Sequence, residues 1–198
     1  MRVFLLLAKG FNQLPLAVAR ELRRRVPDFE CRVLSMLPRD LFQRATQGGN
    51  FGIKGVDYLN ELEPLWLNKP CEPDRLERYE SMLGPAMLRR IVTADREIGA
   101  GLIHWSRVPP SYLSDCSYDG EKIRRYVSGA LDYAFETLEK TRPDVVFFDA
   151  VDNGPKLAFV EVCRYLRVPC AQLSHVRLGN RYVVDDDPLG LLGPVRRM

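Results

Sequence analysis

Several motifs that would define a function are missing. None of the five cysteines, at positions 31, 71, 116, 163 and 170, has a Cys-x-x-Cys partner, which excludes the common zinc and redox spacings. An odd, scattered set also argues against a disulfide framework and for a reducing compartment. There is no G-x-G-x-x-G and no G-x-x-x-x-G-K-[ST], so neither a nicotinamide site nor a P-loop is expected. A Ser/His/Asp hydrolase is disfavoured because no G-x-S-x-G elbow occurs. No stretch is long and apolar enough to span a bilayer. Residues 1–8 run straight into Lys9 and an amphipathic segment without a small-residue cleavage site. The expectation is a soluble, cytoplasmic protein. Charge of one sign is scarce too: a net +3 gives no reason to expect nucleic acid as a partner. The Arg23-Arg24-Arg25 run reads as a solvated helix end, where cations are favoured.

What is present is apolar and periodic. With 198 residues and 46% hydrophobic content, the chain can build one domain with a sizeable core. Residues 142–182 organise it. The charge-free run Val145-Val146-Phe147-Phe148 meets Asp149 and then Asp152-Asn153-Gly154-Pro155. Ala158, Phe159, Val162, Cys163 and Leu166 then recur at helical spacing, with Pro155 suited to a first turn and Asn153 or Gly154 to its cap. Residues 168–173 form a second apolar run. It meets Ser174-His175-Val176-Arg177 and Gly179-Asn180-Arg181, read as a polar loop. So long a connection between two apolar strands predicts a parallel pair with a right-handed crossover.

Upstream, residues 3–8 predict a buried parallel strand and Lys9-Gly10-Phe11-Asn12 a tight turn. A helix follows with Leu14, Val18 and Leu22 on one face, and then a strand over residues 29–36. Residues 47–55, rich in glycine, read as a surface loop or a lid, and residues 58–67 fit strand or helix equally. Two helices are expected over residues 73–83 and 85–98, with Leu88, Ile91 and Val92 packed and Arg89 and Arg90 solvated. Asp95-Arg96 reads as a local ion pair. A long helix capped by Asp119 and stopped by Pro143 leads back to the Val145 strand. After Tyr182 no strongly periodic element is expected. The fold class is therefore α/β: a Rossmann-like three-layer fold with a mainly parallel sheet and a helical insertion over residues 37–118.

In open sheets of this class, ligands bind beyond the carboxyl ends of the strands. Lys9, Asn12, Asp149, Asp152, Asn153, His175 and Arg177 are expected to converge there. A carboxylate, Asp149 or Asp152, or the His175 imidazole could exchange a proton with a hydroxyl. Arg177 and Arg181 suit a phosphate or carboxylate, since a guanidinium binds both in bidentate fashion. The competing reading is that Asp149 and Asp152 only cap the following helix. Asp185-Asp186-Asp187 reads as a solvated turn, and neither metal nor cofactor is expected.

Lys9-Gly10-Phe11-Asn12, Asp95-Arg96, Phe147-Phe148-Asp149-Ala150-Val151-Asp152-Asn153 and the segment from Ser174 to Tyr182 together resemble the N-terminal region of bacterial surface-carbohydrate or capsule-biosynthesis proteins. Those proteins are similar to two-domain, GT-B-like glycosyltransferases. The resemblance implies the acceptor-side half of such an enzyme, inactive alone, with a nucleotide-sugar donor held by a further C-terminal domain. Its partners would be a sugar or oligosaccharide acceptor and, peripherally, the membrane. Two alternatives stand beside it: a Rossmann-like binding module without chemistry, and a stand-alone nucleotide-binding enzyme.

Overall fold

The computed structural model describes residues 1–8, 13–95, 120–149, 151–176 and 181–186, with the backbone alone at 73, 94, 174–176, 181–183 and 185. The chain opens with β1 (Arg2–Leu7), α1 (Gln13–Arg25), β2 (Glu30–Ser35), α2 (Arg39–Thr46) and β3 (Ile53–Tyr58). Four helices follow among the described residues: α3 (Leu59–Asn68), α4 (Pro73–Leu83), α5 (Met87–Ala94) and α6 (Gly120–Thr141). It closes with β4 (Val145–Phe148), α7 (Gly154–Leu166), β5 (Cys170–Val176) and β6 (Arg181–Asp185). The strands form one sheet in the order β3-β2-β1-β4-β5-β6. The first five are parallel, and β6 runs antiparallel to β5 at the edge. This is the expected α/β Rossmann-like three-layer class, with the strand order reversing between β1 and β4.

Contacts divide the chain into two compact units. One comprises Met1–Glu61, Thr141–Val151 and Arg167–Met198, and the other Leu62–Lys140 and Asp152–Leu166. In the first, alternation along the strands builds the core. Val3, Leu5 and Leu7 of β1, with Cys31 and Val33 of β2, pack with Leu16 and Ala19 of α1 and Phe42 of α2. The alternate residues Phe4, Leu6, Leu34, Val146 and Phe148 are fully buried as well. Burial on both faces is what continuous apolar strands require. Burying a Leu or Phe side chain contributes about 1.5–3 kcal/mol, so this central ladder is the main source of stability in the sheet.

Several expectations need correction. In α1 the fully buried residues are Pro15, Leu16 and Ala19; Leu14, Val18 and Leu22 are only half-buried. The glycine-rich segment is not loop throughout, because Ile53 to Gly55 open β3. Residues 59–68 are helical, despite Pro64 within them. Ser174, His175 and Val176 lie within β5 rather than in a loop, and Arg181 to Asp185 add an unexpected sixth strand. The predicted turn at Lys9 to Asn12, the Asp119 cap and the residues after Asp95 in the second predicted helix fall outside the described residues.

The second unit is helical. Residues 126–132 of α6 are all buried, so this stretch of the helix is enclosed on every side. Gly129 permits that: a Cβ there would lie 2.4 Å from Cγ of Trp66. Trp66 in turn packs edge-on against Tyr126, whose hydroxyl donates to the buried Glu63 at 2.7 Å. One turn on, Asp132 accepts from Tyr79 and pairs with Arg75 at 2.9 Å and Lys69 at 3.5 Å. Arg90 is not simply solvated: it forms a bidentate pair with Glu161 of α7, at 2.9 and 3.1 Å. Arg142 and Arg167, the residues after α6 and α7, take left-handed φ values of 44° and 57° and so end both helices.

Gly129→Ala should therefore destabilise the protein although alanine is the better helix former. The propensity gain is about 1 kcal/mol, whereas overpacking against an enclosed Trp costs roughly 1–3 kcal/mol. Urea denaturation should show a net loss, and a gain would mean that Trp66 moves aside freely. The Tyr79 hydroxyl is pushed up to about 12 by burial and by the neighbouring Asp132 carboxylate. Above pH 10 an unfolded tyrosine loses its proton while Tyr79 keeps it, so the folded state binds more protons and stability falls between pH 10 and 12. Tyr79→Phe should make that fall shallower in thermal melts.

Candidate functional site

The site begins where the strand order reverses. Leu6 pairs with Phe148, so Asp149 stands level with Leu7 at the carboxyl ends of β1 and β4. Asp149 is buried, and its carboxylate accepts the Ala8 N–H. At the other end of β4, the Asp144 carboxylate accepts the Arg2 N–H at 2.7 Å. A strand of only four residues thus has its pairing with β1 prolonged at both ends by an aspartate side chain. At the buried Ala8 end the physical reason is that an unpaired N–H there costs about 1–3 kcal/mol, and a carboxylate makes a stronger bond to it than a carbonyl; the Arg2 end is exposed.

A second cluster surrounds the start of α7. Asn153 caps the helix: its Oδ1 accepts the Lys156 N–H at 3.1 Å and its carbonyl the Leu157 N–H at 3.1 Å. The Gly154 N–H donates to Oδ2 of Asp95 at 2.6 Å, and Asp95 is 1% exposed. A carboxylate is stabilised there by the helix dipole. Gly154 is required for that approach, since a Cβ would lie 2.8 Å from the same oxygen. Lys156 is entirely buried, and its ammonium meets Asp152 Oδ1 at 2.9 Å. Asp152 remains about a third exposed, so this ion pair has one wet end.

The predicted residues are thus distributed as follows. Asp149 belongs to the sheet unit, while Asp152 and Asn153 immediately precede α7 in the other. His175 pairs with Tyr182 and Val176 with Arg181 across the β5–β6 ladder. Because Gln172 is the partner of Phe148, His175 lies three residues past the end of β4 pairing. Lys9, Asn12 and Arg177 fall outside the described residues. The helix start is capped by Asn153 and by Asp95. Asp95 reads in the sequence as half of an ion pair with Arg96, which lies outside the described residues; the bond of Asp95 to Gly154 was not anticipated, and neither was the role of Lys156. For Lys156 the i, i+4 spacing from Asp152 was a usable signal, whereas Asp95 is joined to Gly154 across 59 residues.

Among the described residues no three His, Cys, Asp or Glu gather as a metal ion would need, and no helix is long and apolar enough to cross a membrane. Comparison with known proteins finds no matching family model, no similar curated protein and no similar solved structure. Chemically, the carboxyl edge offers a buried carboxylate at Asp149 and a strand that runs on through His175. The segment leading into α7 offers a buried ammonium held by a carboxylate about a third exposed.

Two variant series test these contacts. Asp149→Ala should cost about 1–3 kcal/mol by orphaning the Ala8 amide, and Asp149→Asn clearly less because its carbonyl can still accept. Hydrogen exchange at Ala8 should accelerate in the alanine variant alone. Asp152→Asn leaves Lys156 buried with weakened compensation and should destabilise. Adding Lys156→Met should restore most of the loss, since an apolar group of similar volume needs no partner. Equal stability of the single and double variants would show that the pair is not what holds the lysine inside.

Proposed function

We propose that this chain is the acceptor-side domain of a glycosyltransferase in capsular or cell-surface polysaccharide synthesis. The observation that carries the reading is the position of Asp149: a buried carboxylate at the carboxyl edge, where β1 and β4 reverse the strand order and ligands of this fold class bind. In this reading the acceptor sugar lies over that edge. Lys9 and Asn12 contact its hydroxyls, and Arg177 and Arg181 orient an anionic group on it. Asp149 already accepts a main-chain N–H and Asp152 holds Lys156, so the general-base role passes to His175. A nucleotide-sugar donor would be held by a further domain.

The same engagement of both carboxylates favours a second reading, a Rossmann-like binding module without chemistry. In the source cell, His175→Ala would then leave the surface polysaccharide intact, whereas the transferase reading requires its loss.

Titrating the isotope-labelled chain with uronic-acid-containing oligosaccharides should shift the Ala8 and Asp149 amides. Calorimetry with nucleotide-sugars should detect no comparable binding. Micromolar affinity for one of them, about −8 kcal/mol, would overturn the acceptor-side assignment in favour of a stand-alone nucleotide-binding enzyme.

A further inference from the structure

A cleft of about 360 Å³ opens where β3 begins, at the amino-terminal end of the sheet and thus at the opposite edge from Asp149. Its volume falls in the range of small-molecule sites. Its lining separates into two kinds of surface. Phe42, Phe51 and Ile53 supply an apolar floor, and Arg23, Asn50 and Lys54 a polar rim. The ring of Phe51 lies against Gly49: a Cβ there would lie 2.2 Å from its Cε2, so any side chain at 49 would displace the ring.

The rim consists of donors. Nη1 of Arg23 donates to the carbonyls of Pro27 at 2.6 Å and Phe29 at 3.3 Å, which holds the guanidinium in place. Its Nε–H and Nη2 make no bond to the described residues, and those two nitrogens form the fork that grips an oxyanion side-on. Oδ1 of the Asn50 side chain accepts the Gly52 N–H at 3.3 Å, which leaves its NH₂ as a donor for a ligand. Lys54 meets Glu30 at 3.5 Å, with both side chains at least half exposed. Such a pair is worth little, and the ammonium can turn to a ligand.

We propose that this cleft binds a small amphipathic oxyanion, a carboxylate or phosphate carried on an aromatic or branched apolar body. The charged end lies in the Arg23 fork, assisted by Asn50 and Lys54, and the body rests on Phe42, Phe51 and Ile53. A neutral ligand of the same shape leaves the Arg23 donors unmatched and is rejected.

The test is an amide-resolved titration of the intact chain with phenylacetate, phenyl phosphate and the neutral phenylacetamide. Saturating shifts at residues 49–53 are expected with at least one anion and not with the amide, and the stronger of the two anions identifies carboxylate or phosphate as the group recognised. Arg23→Gln should weaken binding by about 10-fold or more, the loss of one charge-assisted contact. Asn50→Ala, at an exposed position, should weaken it several-fold with the rest of the spectrum unchanged. That variant decides the matter if Arg23→Gln fails to fold. No saturating shift with either anion, equal binding of phenylacetamide, or wild-type affinity in both variants overturns the proposal.

Discussion

The structure depends on the pairing of β1 with β4. These are the central strands, yet 141 residues separate Ala8 from Asp149. Four ladder pairs join them, from Val3 with Val145 to Leu6 with Phe148, and an aspartate closes each end. Every residue of β1 from Val3 to Leu7 is buried, so an unpaired amide there would find no water. Asp149 removes that penalty at the buried Ala8 end, while the Asp144 bond to Arg2 closes the exposed end of the short strand. Closing so distant a contact costs chain entropy, and dense apolar burial on both faces offsets it.

The same economy limits the chemistry. A carboxylate bonded to main chain is a positioning group first, and Asp149 has this character. Around α7 the pattern repeats: Asp95, Asn153 and Asp152 each satisfy a donor that the helix start or its buried lysine presents. Polar residues that look catalytic in a linear sequence are here partly occupied in holding strands and helices in place. In the proposed transferase, the proton transfer therefore falls to a residue further along the chain, His175.

How much was legible follows from where the signal lies. The runs at residues 3–7 and 145–148 are free of charge, and the stripe from Ala158 to Leu166 is strictly helical, so β1, β4, α6 and α7 could be placed directly. Strand β3 could not: Lys54, Gly55 and Asp57 interrupt its apolar residues, and its edge position leaves most of it half-buried. Strand β6 carries too few residues for a pattern, and it is defined by the antiparallel ladder to β5. At the site, Asp149 and Asn153 stood out as polar residues after an apolar run. The partner of Asp149 did not, because Ala8 offers only a main-chain N–H, and nor did the bond of Asp95 to Gly154, which is made through tertiary structure. The Arg90–Glu161 pair was hidden for the same reason, with 71 residues between the two charges.

The division into two units has a consequence for how the molecule can be made. The chain passes from one unit to the other four times, after residues 61, 140, 151 and 166. Neither unit is therefore a continuous segment, and no single cut yields both intact. During synthesis β1, β2 and β3 leave the ribosome first but lack β4 until residue 148 has followed. At about 5–20 residues per second, that is a wait of roughly five to twenty seconds with one side of an apolar strand unpaired. Over that interval, β1 presents the open edge most exposed to association with other chains.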